Sequence, residues 1–211
     1  MKKIVFIVLA FLTLSVSNVF AQLIKIENGA SFSWMQGDVL ESKLPAYSVM
    51  FGCDYLEHDW FYLSSEIGYI KKGGKDKIYG FIEDLGNDAI RGGYANMQSN
   101  LQYIQLNTSF RVKHSFKKIN VYAGIAPTLD FLVKEESYTE TEIKRHDNDY
   151  HANKFVLGIM PEIGAFYDVN KLRVSLNVSY QRNISHLAKV SNGDGLNNNT
   201  LLVSVGVGYK L

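Results

Sequence analysis

Seven charged residues stand where a charge is costly to hide. Asp54, Glu66, Arg111, Asp130, Glu162, Arg173 and Lys210 each lie on the small, polar face of a stretch whose other face is apolar. Four carboxylates against three cations have the chemistry of a proton or ion relay, or of an acid–base pair. Packed inside a closed ring of strands, the same seven would instead form an ion-pair network, because buried charges persist when they are paired and hydrogen-bonded. The second reading is the expectation, with Glu66 or Glu162 in contact with Arg111 or Arg173.

The remaining chemistry-bearing residues are sparser. His58 and His114 fall in short links, while His146, His151 and His186 fall in long ones. His146 and His151, beside Asp147 and Asp149, have donor types that a cation accepts, yet the stretch reads as a polar loop. Ser185-His186 has the residue types of a nucleophile and its base, as in outer-membrane lipid hydrolases. Neighbours on a strand point to opposite faces, however, and no acidic residue is placed to orient the histidine. Gly73-Gly74, Gly92-Gly93 and the Asn192–Gly195 run precede no helix and so form no phosphate cradle. No catalytic residue, metal or cofactor is expected, and the chain is read as a non-enzyme.

The elements that would position the seven charges are strands. Period-2 alternation recurs at 24–36, 47–56, 60–72, 100–112, 119–133, 153–168, 172–181 and 201–211, an even eight. The last is the clearest: Leu201, Val203, Val205, Val207, Tyr209 and Leu211 share one face, and Ser204, Gly206, Gly208 and Lys210 the other. Short links at 57–59, 113–118 and 170–171 alternate with long polar ones at 37–46, 73–99, 134–152 and 184–199. The link at 170–171 sets Val169 opposite Leu172, and that at 57–59 sets Tyr55 opposite Phe61. Pro127 and Pro161 fall inside strands, opposite one another if the hairpin centres near residue 144, and a gap or bulge in pairing is expected there.

Composition limits the class further. The 211 residues are 46% hydrophobic and 13% aromatic, with 13 Tyr, 12 Phe and one Cys, Cys53. Disorder and a disulfide scaffold are excluded. Residues 1–21, with Lys2-Lys3, an apolar run from Ile4 to Leu14 and Ala21 before Gln22, read as a signal peptide, leaving 22–211 as one barrel domain. Without Lys2 and Lys3, 20 of the 22 basic residues remain against 21 acidic ones, too little positive charge for a nucleic-acid binder.

The polar face decides which side points outward. It carries Ser, Gly, Asn and Gln with about one charge per strand, which suits a crowded lumen better than a solvated exterior. The apolar face carries Trp34, Tyr47, Tyr55, Phe61, Tyr69, Phe155, Tyr167, Tyr180 and Tyr209 near strand ends, as two membrane girdles would. The expected fold is all-β, an eight-stranded antiparallel up-and-down transmembrane β-barrel in the outer membrane, with short periplasmic turns and long extracellular loops. Its apolar face meets outer-membrane lipid. A soluble lipocalin-like barrel with the apolar face inward, binding a small apolar ligand, is the alternative fold, and a lipid-modifying enzyme is the alternative activity.

Three passages, "YIQLNTSFRVK" (103–113), "YAGIAPTLDFLV" (122–133) and "SVGVGYKL" (204–211), are similar to the pre-turn, Gly-x-x-Pro and closing strands of PorT-like outer-membrane barrels of Bacteroidetes. That family usually ends in an aromatic residue, whereas this chain ends in Leu211 with Tyr209 two before it. The resemblance implies a structural or partner-interacting role linked to assembly of an envelope secretion or gliding apparatus. Loops 73–99 and 134–152 are the expected protein-binding surfaces. Loop 73–99, with Tyr79, Phe81, Ile82, Tyr94 and Met97, is either such a surface or an extension of its hairpin. The oligomeric state is left open by the sequence.

Overall fold

Alternating β-branched and aromatic residues, bounded by turn residues, form strands because each strand can lay one face against a neighbouring layer. The computed structural model describes residues 21–36, 40–84, 90–140, 145–147, 152–189 and 195–211. The signal-peptide reading falls on residues outside these, apart from Ala21. The strands are β1 (Leu23–Gln36), β2 (Leu44–Tyr55), β3 (Phe61–Asp84), β4 (Ile90–Phe116), β5 (Ile119–Glu140), β6 (Arg145–Asp147), β7 (Phe155–Val169), β8 (Leu172–Asn183), β9 (Ala188–Lys189) and β10 (Gly195–Lys210). Eight long strands pair antiparallel in the order β1-β2-β3-β4-β5-β7-β8-β10, and β10 returns to β1, so the sheet closes. Two short pieces only add to rims: β6 pairs β5, and β9 pairs β10. Leu23 pairs with Lys210, which puts the start of β1 and the end of β10 at the short-turn rim.

The ring is apolar outside and polar within, as the outer-membrane reading requires. Ile26, Phe51, Ile67, Val112, Ile125, Ile163, Leu176 and Val205 are exposed, whereas Ser31, Ser64, Gln105, Ser109, Thr128 and Gln181 are buried. A lipocalin-like interior would show the reverse. The short turns are tight: Phe116 pairs with Ile119 around Lys117-Lys118, and Val169 pairs with Leu172 around Asn170-Lys171. Lys117 and Asn170 each take φ 55, the left-handed region that such turns demand.

Several sequence-derived boundaries change. Tyr55 pairs with Leu63 rather than Phe61. That slip is two residues, so no side chain changes face. The 113–118 link contracts to Lys117-Lys118, with β4 running on to Phe116. Most of the expected 73–99 loop is strand, since β3 and β4 pair from Phe61↔Val112 out to Asp84↔Ile90, with one irregularity between Tyr79 and Phe81. The hairpin continues about 50 Å along the strand past Tyr69, at about 3.4 Å per residue. Local alternation failed there because polar and apolar residues mix once neither face meets lipid. A second irregularity, between Gln102 and Tyr103, inserts Val133 as an extra residue of β5.

The prolines are not opposite one another. Pro127 pairs with Ile159 and Pro161 with Ile125 in an unbroken β5–β7 ladder. The gaps lie on the outer flanks of that ribbon. The β4–β5 ladder passes from Asn107↔Thr128 to Phe110↔Ile125, and the β7–β8 ladder from Ile159↔Arg182 to Glu162↔Ser179. Register is the same on both sides of each gap, so these are missing rungs and not bulges. A proline nitrogen has no hydrogen to donate, and each gap falls on the flank toward which that nitrogen points.

Candidate functional site

The closed ring leaves its inner face as the one place where the seven charges can meet. Glycine supplies the room. Arg111 on β4 pairs across the ladder with Gly124 on β5, which pairs with Glu162 on β7. A Cβ at Gly124 would lie 2.9 Å from Arg111 Cγ and 3.0 Å from Glu162 Oε1, so only a residue without a side chain lets the two reach each other over it. The same device recurs where Lys25, Gly52 and Glu66 align across β1, β2 and β3. There a Cβ would lie 2.6 Å from Glu66 Cγ.

Arg111 donates from Nε to Glu162 Oε1 at 2.6 Å and from Nη2 to Glu162 Oε2 at 2.8 Å, and it also reaches Glu66 Oε1 at 3.1 Å. Its guanidinium lies 4.9 Å from the Tyr122 ring centre. Glu162 further accepts from Asn177 Nδ2 at 3.0 Å, and Glu66 from Asn107 Nδ2 at 3.2 Å. Lys25 is the hub below, with Nζ 2.6 Å from Glu66, 2.8 Å from Glu27 and 3.4 Å from Asp54. Arg173 continues the chain to Asp54 at 3.3 Å, Glu57 at 3.0 Å and Asp168 at 2.8 Å, and its guanidinium packs 3.8 Å from the Phe166 ring centre.

Asp54, Glu66, Arg111, Glu162 and Arg173 are thus brought into one buried network. Of the other two, Asp130 is separate and Lys210 is peripheral. Asp130 belongs to a separate island higher in the lumen, where Lys72 Nζ lies 2.5 Å away and Gln105 and Gln181 donate to it at 2.7 and 3.0 Å. Lys210 sits at the short-turn rim with about a third of its side chain exposed and joins the network only through Asp168, at 2.7 Å.

Sequence reasoning missed Lys25, Glu27, Glu57, Lys72 and Lys113. Lys25 and Glu27 obey the same alternation as Ser31 and Ser33 and were legible by parity. Lys72 was masked by standing beside Lys71 at the very end of the expected 60–72 strand, where two adjacent lysines show no alternation. Glu57 lies in a turn, to which alternation does not apply, and its partner Lys113 at 2.6 Å lay in the expected 113–118 link.

At the rim, burial alone would raise the Glu57 pKa. The hydrogen bond from Lys113 and the charge and hydrogen bond of Arg173 outweigh that and hold the carboxyl below its ordinary value of 4.5. A carboxylate with a depressed folded-state pKa contributes stability that is complete above its unfolded value and fades as pH falls through the folded one. Acid titration of the unfolding midpoint should therefore show an extra loss below about pH 4.5. Glu57→Gln removes that increment, and identical acid profiles for the two proteins would count against it.

The external half of the lumen carries an apolar cluster beside its polar groups, which the small polar inner face did not foreshadow. Met35, Met50, Ile70, Leu101, Tyr103, Val156 and Leu202 meet there, and Leu40 and Leu187 fold in from connecting segments. At the short-turn end Tyr62, Tyr122 and Phe166 pack edge-on at 5.9 and 6.0 Å. Side chains of the described residues crowd the lumen. The cavity between Lys25, Asp54, Arg111 and Arg173 holds about 10 Å³, the space of one water.

Ser185 Oγ accepts from the Leu157 amide at 2.8 Å, and His186 is exposed with its carbonyl accepting from Asn153. The side chains of His146 and Asp147, and all of Asp149 and His151, lie outside what is described. No group of metal-binding side chains occurs among the described residues.

Residues 21–189 match the sequence family described as "Outer membrane protein beta-barrel domain". No curated protein sequence matches the chain. Among solved structures, Neisserial surface protein A is 12% identical, with 92% of this chain and 100% of that chain covered and a TM-score of 0.50. A major outer membrane protein of Thermus thermophilus gives the same identity, coverage and score. Ail, the attachment invasion locus protein of Yersinia pestis, is 10% identical over 90% of this chain and 100% of its own, with a TM-score of 0.44. At these identities the likeness is one of fold.

Proposed function

Because this chain belongs to the outer membrane protein beta-barrel domain family and resides in the outer membrane, we propose that it is a sealed, non-catalytic anchor that presents the β3–β4 hairpin to a protein partner. The observation that carries this is the crowded lumen, with an ionic network below, an apolar cluster above and room for about one water in the cavity between Lys25, Asp54, Arg111 and Arg173. A barrel filled in this way passes no solute, so its outward function rests on what projects from it. The hairpin continues well beyond the lipid band, and near its end the rings of Tyr79 and Tyr94 lie 4.9 Å apart, tilted by 54°, with Lys77 4.4 Å from the Tyr94 ring centre. Exposed aromatic side chains of this kind favour protein interfaces. Against a lipid-modifying activity stands the engagement of Ser185 Oγ by backbone.

The resemblance to PorT-like barrels points the search for that partner toward envelope secretion and gliding machinery. The test is cross-linking and co-purification from detergent-solubilised outer membranes, comparing the intact chain with one in which 76–95 is replaced by a two-residue turn. The shortened chain should still fold, judged by migration that shifts on boiling, and should lose its partners. Retention of the same partners overturns the hairpin reading, and stepwise ion conductance of the intact chain in a planar bilayer overturns the sealed lumen.

A further inference from the structure

The outer face changes character within one residue pair at the external rim. Tyr69 and Ile104 pair at the top of the lipid band, and the next outward pair is Lys71 with Gln102. Gln102 pairs in turn with Lys134 on β5. Lys134 reaches this face because of the extra residue Val133: Leu132 points inward opposite Tyr103, and in an unbroken alternation residue 134 would follow it into the apolar lumen. The bulge therefore sits at the level where the outer face passes from lipid-facing to polar, and its effect is to turn a lysine outward there. Lys71 is half-buried, and two outward positions above it Lys75 is exposed.

We propose that Lys71, Lys134 and Lys75 form a binding site for the phosphate of an anionic lipid headgroup in the outer leaflet. Strands lie about 4.8 Å apart, so the Lys71 and Lys134 backbones, two strands apart, are about 10 Å from each other and their ammonium groups can share one phosphate above the Gln102 amide. The residues directly beneath identify the occupant as a lipid. Acyl chains resting on Ile67, Ile104 and Phe131 place a headgroup at the Lys71 row. Lys134 Nζ is 2.6 Å from Glu136, with side chains 58% and 43% exposed. An ion pair so exposed is weak and yields to a doubly charged phosphate. This site rests on the outer-membrane location alone and is independent of the hairpin's partner.

The folded protein in zwitterionic micelles is titrated with dioleoylphosphatidic acid, and bound lipid is counted by native mass spectrometry. Lys71→Gln with Lys134→Gln weakens binding about tenfold or more. Glu136→Gln, which frees Lys134, strengthens it. Lys117→Gln with Lys118→Gln removes the same charge at the opposite rim and leaves binding unchanged. Equal loss in that control, no loss in the first variant, or displacement of the lipid by an equal concentration of inorganic phosphate overturns the proposal.

Discussion

Arg111→Met lowers the stability of the folded barrel by about 3–5 kcal/mol, the cost of leaving buried charge without its partner. Glu162 would lose both of its charged hydrogen bonds and keep Asn177, while Glu66 would keep Lys25 as its counter-ion. The greater part of the loss should therefore trace to Glu162. Pairing Arg111→Met with Glu162→Leu removes both charges together and recovers most of the deficit, since an apolar pair of similar volume replaces a desolvated ionic one. Arg111→Lys keeps the charge but not the two-pronged grip and should fall between. Urea unfolding in detergent, followed by the migration shift between folded and boiled protein, measures all three. A single-variant loss under about 1 kcal/mol would mean that the lumen is wetter than its packing implies.

The second large effect lies one storey higher. Lys72 and Asp130 have fully buried side chains, with Tyr103 5.8 Å from the lysine nitrogen. Lys72→Met strands Asp130 with only the amides of Gln105 and Gln181 as donors, and should also cost about 3–5 kcal/mol. Lys72→Met combined with Asp130→Leu should be close to neutral, because Gln105 Nε2 retains Gln181 Oε1 at 2.7 Å and Gln181 Nε2 retains Thr128 Oγ1 at 2.7 Å. The same urea assay decides, and a double variant as unstable as the single one would refute the ionic account of this island. The Arg111 and Lys72 effects should add, since the two networks share no hydrogen bond.

These contrasts mark where local sequence carries structure and where it does not. Alternation set the face of every long strand, because in a closed ring a residue's parity decides between lumen and lipid. β10 was the plainest case and held from Leu201 to Lys210, though Asn198, Asn199 and Thr200 before that stretch are all buried. Parity also reached Glu66, Arg111 and Glu162, whose convergence needed no more than the glycines between them. It lost force wherever both faces were apolar. Met50 beside Phe51, and Tyr103 beside Ile104, present two apolar neighbours, and nothing local marks Met50 and Tyr103 as the inward ones that seal the external end. The bulge at Val133 is invisible for a different reason: it is a property of pairing between β4 and β5, and a single strand carries no record of its partner's length. The Pro127 and Pro161 gaps were legible in kind, since proline lacks a donor, but their positions depend on which neighbour each nitrogen faces.

The pairing of Leu23 with Lys210 carries a kinetic consequence. Seven of the eight junctions in the ring join strands near in sequence and can form as hairpins, whereas β1 and β10 are the first and last strands of the chain. Their meeting carries the largest loss of chain entropy and so comes late, when the other strands are already ordered. Until it happens, two strand edges stand open in lipid with backbone groups unsatisfied, and the membrane penalises that state strongly. The barrel therefore has no stable part-built form: a chain stopped before its last strand leaves an open sheet with two bare edges, suited to aggregation or to capture by whatever machinery inserts it.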